Sequence, residues 1–184
     1  HKVAVIRHLD ALGESAATIG AVNCVVKRDG RLIGENTDGK GFVDSLRTLV
    51  DPAGKTLVLF GAELVALIND RTPARAELVV WDRPYRAPEA ADILVNATSI
   101  GLYPDIDGRL ALDMASLRPA MIVADVIPNP PRTLLIREAQ ALGCRTLDGL
   151  GMLVNQGVIS IRHWTGVDVT AAVMRRTVEG LFGV

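Results

Sequence analysis

The sequence predicts an α/β protein, and two patterns support this prediction. The run TLVLF at 56–60 is apolar throughout, which is typical of a strand buried on both faces of a parallel sheet. Further apolar runs at 92–97 and 121–126 alternate with a helical pattern at 133–142 that ends at Gly143. A length of 184 residues, of which 49% are hydrophobic, allows one domain or two small ones.

The chain opens with a helical pattern. Val5, Ile6, Leu9 and Leu12 recur at helical spacing, so residues 3–12 are predicted to form a helix that ends at Gly13. Because this helix begins within the first residues, we expect the chain to start inside a domain, truncated at its N-terminus.

The N-terminal part is organised around residues 19–42. Runs at 21–26 and 31–35 predict two strands, and the pair DG at 29–30 between them accepts positive φ in a tight turn. The second strand leads through a polar segment at 35–39 into a helix. Asn23, within the first strand, and Asp38, beyond the end of the second, are therefore expected to face one pocket.

Residues 61–81 break the expected order of strands and helices. A crossover between parallel strands needs a dozen or more residues, but the pattern of a second buried strand begins at 64, one residue after Gly61-Ala62. A helical start at 73–77 likewise turns into the strand-like LVVW. Either the strands are antiparallel, or 57–68 is one helix, or residues are missing from the sequence. The sequence favours missing residues near Ala62/Glu63 and Glu77/Leu78.

Composition excludes several classes of function. A formal net charge of −1 gives no electrostatic basis for binding nucleic acid or an anionic membrane. No apolar run approaches the ~20 residues of a transmembrane helix, and the start of the chain has no signal-peptide pattern. Cys24 and Cys144 match no metal-ligand spacing. We expect a cytoplasmic protein with two reduced thiols and no metal.

Four polar residues fall at strand ends or helix starts: Lys2, Asn23, Asp38 and Gln156. A lysine and an aspartate in one pocket suit proton transfer to and from a hydroxyl group. The amides of Asn23 and Gln156 can each donate and accept hydrogen bonds, which suits a polyhydroxylated ring. Each residue also has a plainer interpretation, because Lys2 could be a solvated surface group and Asp38 only a helix cap.

A dinucleotide site is suggested by the apolar run before Gly61 and Ala62 and by the charged cluster that follows at Asp70, Arg71 and Thr72. An acidic residue in such a place binds a ribose 2′-hydroxyl, whereas arginines such as Arg71 and Arg75 bind a 2′-phosphate. A Gly-Ala pair alone is not a dinucleotide-binding motif, and the arginines could simply be exposed residues at the start of a helix.

With these motifs in order, the chain resembles the shikimate/quinate dehydrogenase family along nearly its whole length. The matching stretches are HK at 1–2, IGAVN at 19–23, NTDG at 36–39, DRTPARAE at 70–77, VNATSIG at 95–101, DGLGMLVNQG at 148–157 and WTG at 164–166. The family oxidises a ring hydroxyl of shikimate or quinate reversibly with NAD(P), and its biosynthetic members serve the chorismate pathway to aromatic amino acids.

The resemblance implies a role for each matched residue. Lys2 and Asp38 correspond to the catalytic pair, and Asn23 and Gln156 to substrate ligands. The expected cofactor contacts are Gly61, Ala62, Asp70, Arg71, Thr72, Arg75, Thr98, Ser99, Val126, Gly149 and Met152. No metal is expected, and the protein is expected to be a monomer or a homodimer.

The resemblance also implies two domains. Residues 1–50 and 152–184 are expected to form part of the substrate-binding domain, and residues 51–151 a Rossmann-like NAD(P)-binding domain. The last helices are expected to pack back on the first domain. The family's glycine-rich diphosphate loop, which should follow Gly61, is missing from this sequence.

Three features qualify the resemblance. Asp70 replaces the asparagine of typical NADP-using members and favours NAD, but Arg71 and Arg75 remain to bind a 2′-phosphate, so NADP is expected and NAD is the alternative. Pro128 stands where biosynthetic members place a substrate-facing tyrosine, which leaves open whether shikimate itself is the substrate. The shortened cofactor region leaves a second interpretation, a binding or regulatory paralogue with little turnover.

Overall fold

The computed structural model describes residues 1–61 and 83–183. Within these residues the chain forms two sheets, one of three strands in the N-terminal part and one of four strands in the remainder. The described residues combine a parallel sheet with helices, as an α/β protein requires, so the predicted fold class is confirmed.

The first sheet has the order β1-β3-β2, with β1 at Ala11–Leu12, β2 at Cys24–Arg28 and β3 at Arg31–Glu35. Strands β2 and β3 form the predicted antiparallel hairpin, whereas β1 runs parallel to β3. Asp29 and Gly30 both have positive φ, 51° and 79°, which matches the twist of a two-residue hairpin turn.

Helix α1 at Glu14–Ile19 packs against this sheet, whereas α2 at Asp38–Leu46 follows β3 and places Leu46 in an apolar layer of the four-stranded sheet. Helix α1 ends at Gly20, whose φ of 72° is the left-handed conformation that ends many helices. Helix α2 begins directly after the polar segment that follows β3, so that segment lies between a strand end and a helix start.

The second sheet is parallel throughout, with the order β4-β5-β6-β7. Its strands are β4 at Leu57–Phe60, β5 at Ile93–Asn96, β6 at Ile122–Asp125 and β7 at Arg145–Leu147. Every residue of β5 and β6 is buried, because apolar layers cover both faces of the sheet. The parallel sheet predicted from the unbroken apolar run is confirmed.

Three more helices complete the described part of the chain: α3 at Leu134–Ala141, α4 at Gly149–Thr165 and α5 at Ala171–Phe182. Helix α4 starts beside the parallel sheet and then packs along α2 and against β2, while α5 packs on α4. This is the predicted return of the last helices to the first part of the chain. No described helix is long and apolar enough to cross a bilayer.

The start of the chain differs from its prediction. A single helix over 3–12 is wrong, because a short 3-10 helix at Ala4–His8 is followed by strand β1. The Asp10 amide donates to the Leu32 carbonyl at 2.9 Å, and that of Gly13 to the Gly34 carbonyl at 2.8 Å. Pairing with β3 therefore overrides the helical spacing of the apolar residues.

The predictions for residues 62–82 lie outside the described residues. They include the strand at 64–68, the helical start at 73–77 and the missing residues near Ala62/Glu63 and Glu77/Leu78.

Candidate active site

Lys2 and Asp38 meet, although 35 residues separate them in the sequence. The Lys2 Nζ donates a hydrogen bond to the Asp38 Oδ2 at 2.6 Å. Asp38 is the first residue of α2 and its side chain is 22% exposed, whereas the Lys2 side chain is 60% exposed. The pair thus has a fixed carboxylate and an ammonium open to solvent, where a ligand can reach it.

Asn23 holds the other oxygen of the same carboxylate. Its Nδ2 donates to the Asp38 Oδ1 at 2.8 Å and to the Thr37 Oγ1 at 3.0 Å, while its Oδ1 accepts from the Thr37 amide at 2.9 Å. The orientation of this side-chain amide is fixed, because a backbone N–H only donates and a carboxylate only accepts. Both oxygens of Asp38 are therefore held by protein groups.

Gln156, on helix α4, completes a polar cluster with Lys2, Asn23, Thr37 and Asp38. Its Nε2 donates to the Leu153 carbonyl at 2.9 Å, and its Oε1 lies 3.5 Å from the Thr37 Oγ1. One Nε2 hydrogen and most of the Oε1 capacity remain for a ligand. The structure thus brings together all four residues predicted from strand ends and helix starts.

The segment between β3 and α2 is held in place by its own polar side chains. Asn36 donates from Nδ2 to the Ala21 carbonyl at 2.9 Å, and its Oδ1 accepts from the Asp38 amide at 3.0 Å. The Ser15 hydroxyl donates to the Asn36 carbonyl at 2.9 Å. These bonds direct Asp38 toward Lys2 from a buried and rigid turn.

Helix α4 reaches the site because it lies in backbone contact with α2. A Cβ placed on Gly41 would lie 2.8 Å from the Gln156 backbone nitrogen and 3.0 Å from the Met152 carbonyl oxygen. The absence of a side chain at Gly41 therefore sets the separation of the two helices. It also sets the distance from Gln156 to the Lys2–Asp38 pair.

Four of the residues predicted to contact a cofactor lie at the carboxyl ends of the parallel strands. Gly61 follows β4, Thr98 and Ser99 follow β5, and Val126 follows β6. Parallel strands end at one edge of a sheet, which is where ligands of open α/β sheets bind. Ser99 is exposed, and among the described residues its hydroxyl has no hydrogen-bond partner.

A buried network supports this edge. Asp125 accepts from the Thr133 hydroxyl at 2.7 Å, from the Ile127 amide at 3.0 Å and from the Asn96 side-chain amide at 3.2 Å. Asn96 in turn accepts from the Thr98 hydroxyl at 2.7 Å. Burial raises the pKa of Asp125 above its ordinary value, although these hydrogen bonds oppose the rise.

Gly149 and Met152, also predicted to contact a cofactor, lie in the first turn of α4. A Cβ on Gly149 would lie 2.3 Å from the Ile127 carbonyl oxygen, so the helix start presses against the loop after β6. Asp148 caps this helix by accepting from the Leu150 and Gly151 amides at 3.1 and 3.3 Å. The edge of the sheet and the polar cluster are thus joined by one helix.

These features fit a dinucleotide. The exposed Ser99 hydroxyl, which has no partner within residues 1–61 and 83–183, provides a donor, and the φ of 151° at Gly61 allows close backbone approach at the carboxyl edge. Five predicted cofactor contacts lie outside the described residues: Ala62, Asp70, Arg71, Thr72 and Arg75. In residues 1–61 and 83–183 no group of three or more His, Cys, Asp or Glu could hold a metal ion.

Sequence reasoning overlooked two members of the polar cluster, Thr37 and Ser160. Their hydroxyl oxygens lie 3.2 Å apart, and both residues are almost fully buried. Thr37 could have been found, since it lies inside the NTDG motif between two predicted site residues. Ser160 gives no signal in the sequence, because nothing there distinguishes it from a solvent-facing helix serine.

Comparison with known proteins places the chain among dehydrogenases. Residues 149–179 match the model of the shikimate 5'-dehydrogenase C-terminal domain. The chain is 38% identical to the NADP(+)-dependent shikimate dehydrogenase of Shouchella clausii, over 97% of this chain and 75% of that protein. Their alignment spans 209 residues, so at least 25 of its positions have no counterpart among the 184 residues here.

Two solved structures share the fold. A ligand-free 5-ketofructose reductase of Gluconobacter sp. strain CHM43 matches with a TM-score of 0.91 and 47% identity, over 99% of this chain and 76% of that one. A shikimate 5-dehydrogenase from Listeria monocytogenes, in complex with shikimate and NAD, matches with a TM-score of 0.83 and 28% identity. That match covers 96% of this chain and 74% of the Listeria chain.

Proposed function

The chain belongs to the shikimate dehydrogenase family, and we propose that it is an NADP-dependent oxidoreductase that interconverts a secondary alcohol and a ketone. The observation that carries this proposal is the 2.6 Å contact between Lys2 and Asp38, with the amides of Asn23 and Gln156 beside it. Lys2 and Asp38 are the catalytic pair of this proposal, and the two amides are its substrate ligands.

Lys2 is the group that moves the proton. In oxidation the Lys2 side chain would accept the proton of the substrate hydroxyl, and a nicotinamide held by the proposed cofactor residues would supply the acceptor for the hydride from the same carbon. In reduction the Lys2 ammonium donates a proton to the carbonyl oxygen. Asp38 directs the Lys2 side chain, because Lys2 and Asn23 hold the two oxygens of its carboxylate.

The amides select the substrate by its hydroxyl groups. Both hydrogens of the Asn23 Nδ2 are used within the protein, so Asn23 has mainly an Oδ1 lone pair for a substrate hydroxyl. Gln156 offers a hydrogen and an acceptor. A substrate with several neighbouring hydroxyl groups satisfies both residues, whereas an unsubstituted alcohol leaves polar atoms of these half-buried side chains unpaired.

NADP is the proposed cofactor, with NAD as the alternative. The dehydrogenase of Shouchella clausii is NADP(+)-dependent, and the Listeria structure contains NAD. Gly61, Thr98, Ser99, Val126, Gly149 and Met152 would line the site, together with Ala62, Asp70, Arg71, Thr72 and Arg75.

The proposal includes two domains, residues 1–50 with 152–184 and residues 51–151. The separate three-stranded and four-stranded sheets support this division, and helix α4, which begins at Gly149, links the two parts. A cytoplasmic monomer or homodimer completes the proposal. Two buried free thiols, Cys24 and Cys144, support a reducing compartment.

Shikimate is the first proposed substrate and quinate its close relative. A second candidate, a keto sugar such as 5-ketofructose, is favoured by the 47% identity to the Gluconobacter reductase, which exceeds the 38% identity to the Shouchella dehydrogenase. Pro128, which replaces a substrate-facing tyrosine of biosynthetic members, also favours a different substrate.

Steady-state rates decide between these substrates. The full-length protein is assayed with shikimate and quinate plus NADP or NAD, and with 5-ketofructose plus NADPH or NADH. Turnover of one substrate, faster with NADP or NADPH than with NAD or NADH, supports the proposal. The substrate that is turned over decides between the candidates. Fluorescence titration with NADPH and NADH is the second measurement. If neither cofactor bound, the proposal that the protein is an NADP-dependent oxidoreductase would be refuted.

A further inference from the structure

Ser160 is a buried hydroxyl on α4 with no place in the chemistry described so far. Its Oγ donates to the Gln156 carbonyl at 2.8 Å and lies 3.2 Å from the Thr37 Oγ1, and it can also accept from the thiol of Cys24, to which it is hydrogen-bonded. The residue is 5% exposed and Thr37 is 1% exposed, so no solvent competes for these bonds. Ser160 thus connects the helix of Gln156 with the turn of Asp38.

The hydrogens in this cluster can be assigned by counting donors. A hydroxyl has one hydrogen, and that of Ser160 goes to the Gln156 carbonyl, which can only accept. Ser160 therefore accepts the hydrogen of Thr37. The Thr37 oxygen, its own hydrogen used, accepts from the Asn23 Nδ2 at 3.0 Å. The bonds run in one direction, from Asn23 through Thr37 to Ser160.

Two other acceptors lie near the Thr37 hydroxyl. The Asn23 Oδ1 is 3.3 Å away and the Gln156 Oε1 is 3.5 Å away, both longer than the 3.2 Å to Ser160. These two oxygens are the ones that the proposed function reserves for substrate hydroxyls. Ser160 keeps them available by taking the hydrogen that would otherwise turn to one of them.

We propose that Ser160 is a positioning residue, which acts through Thr37 to keep the amide oxygens of Asn23 and Gln156 free for the substrate. The proposal rests on the proposed function, since it assigns a specificity role within that site. Its effect falls on substrate binding, because Ser160 touches neither Lys2 nor Asp38 among the described contacts.

The test compares Ser160→Ala with a matched control, Thr165→Ala. Thr165 lies on the same helix and makes the same kind of bond, from its hydroxyl to the Ile161 carbonyl at 2.8 Å, but it is exposed and has no partner across the site. With the substrate that the wild type turns over, Ser160→Ala should raise KM for substrate about 3- to 10-fold, the size of one hydrogen bond. The value of kcat and the KM for NADPH should stay within about twofold, whereas Thr165→Ala should change none of the three.

A double-mutant cycle with Thr37 separates positioning from simple stability. In Thr37→Val the hydroxyl is gone, so adding Ser160→Ala should raise KM no further. Thr37→Ser, which keeps the hydroxyl, should retain the full sensitivity to Ser160→Ala. Additive changes in KM in the Thr37→Val background, or an unchanged KM in Ser160→Ala, would overturn the proposal while leaving the enzyme assignment intact.

A second measurement does not depend on turnover. In Ser160→Ala the Thr37 hydrogen turns to an amide oxygen, so the side-chain NH2 resonances of Asn23 or Gln156 should shift in a 15N-correlated NMR spectrum. Resonances that stay at the wild-type positions would also overturn the proposal. A protein without turnover but with these shifts would refute the proposed function, while the shifts would still show that Ser160 sets the direction of the Thr37 hydroxyl.

Discussion

The contact between helices α2 and α4 makes Gly41 the most informative single site for a backbone test. In Gly41→Ala the new Cβ would lie 2.8 Å from the Gln156 nitrogen, 3.0 Å from the Met152 carbonyl oxygen and 3.2 Å from the Gln156 Cα. An ordinary contact begins near 3.4 Å, so α4 must move away by about 0.6 Å. These close neighbours are backbone atoms, which no rotamer change can relieve.

Two opposing effects set the change in stability of Gly41→Ala, overpacking and a gain in helix propensity. Overpacking of this kind costs about 1–3 kcal/mol, while replacing glycine by alanine within a helix returns up to about 1 kcal/mol. The free energy of unfolding should therefore fall by only about 0–2 kcal/mol. Activity should fall much more, because displacement of a positioned group by about 1 Å can cost 100-fold. We expect kcat/KM to drop at least about 10-fold.

Gly39→Ala is the matched control. Gly39 lies one residue after Asp38 on the exposed side of α2, and its added Cβ would meet only the Ile19 Cδ1, at an ordinary 3.5 Å. Denaturant unfolding and steady-state kinetics are measured on both variants. Equal kinetics for Gly41→Ala and Gly39→Ala would refute the reasoning that backbone contact at Gly41 positions Gln156.

Three further predictions concern parts of the molecule outside the polar cluster. Burial raises the pKa of Asp125 in the folded protein. The protonated Asp125 carboxyl therefore stabilises the folded state below its ordinary pKa of ~4, and this stabilisation is lost as the pH rises through the pKa of the folded protein. The difference in unfolding free energy between wild type and Asp125→Asn should therefore shrink as pH rises from about 4 to 7, and a constant difference would contradict the shift. Burial also raises the thiol pKa of Cys24 and Cys144, so neither should react with an aromatic disulfide reagent until urea unfolds the protein. Arg175 binds Asp148 with two hydrogen bonds, 2.7 and 3.1 Å, so Arg175→Ala should lower the unfolding free energy by about 1 kcal/mol, measured by thermal melting, and no change would show the pair to be fully screened.

Much of the fold could be predicted because its signals are local. The unbroken apolar run at 56–60 indicated a strand buried on both faces, and β4 is parallel to β5. The pair Asp29-Gly30 indicated a tight hairpin turn, and both residues have positive φ. Such signals depend on backbone preferences that only a few residue types satisfy.

The N-terminal strand could not be predicted, because its cause lies elsewhere in the chain. Residues 11–12 are extended since they pair with Ile33 and Gly34, and helical spacing alone carries no information about that pairing. The same limit applies to Ser160, whose role depends on Thr37, 123 residues away in the sequence. Position at strand ends and helix starts made Lys2 and Asp38 candidates, and the motifs of a known family then paired them, whereas spacing alone could not.

The most direct test of the proposed chemistry replaces the lysine that moves the proton. Lys40 is the matched control, since it lies on the exposed side of α2 and, in the part of the chain that the structure describes, pairs only with Asp44, at 3.0 and 3.2 Å. In the full-length protein, Lys2→Ala should lower kcat by about 10²- to 10⁴-fold, with NADPH affinity within about threefold of wild type. Lys40→Ala should leave both quantities unchanged. A Lys2→Ala variant with wild-type kcat would contradict the assignment of Lys2 as the proton donor and acceptor.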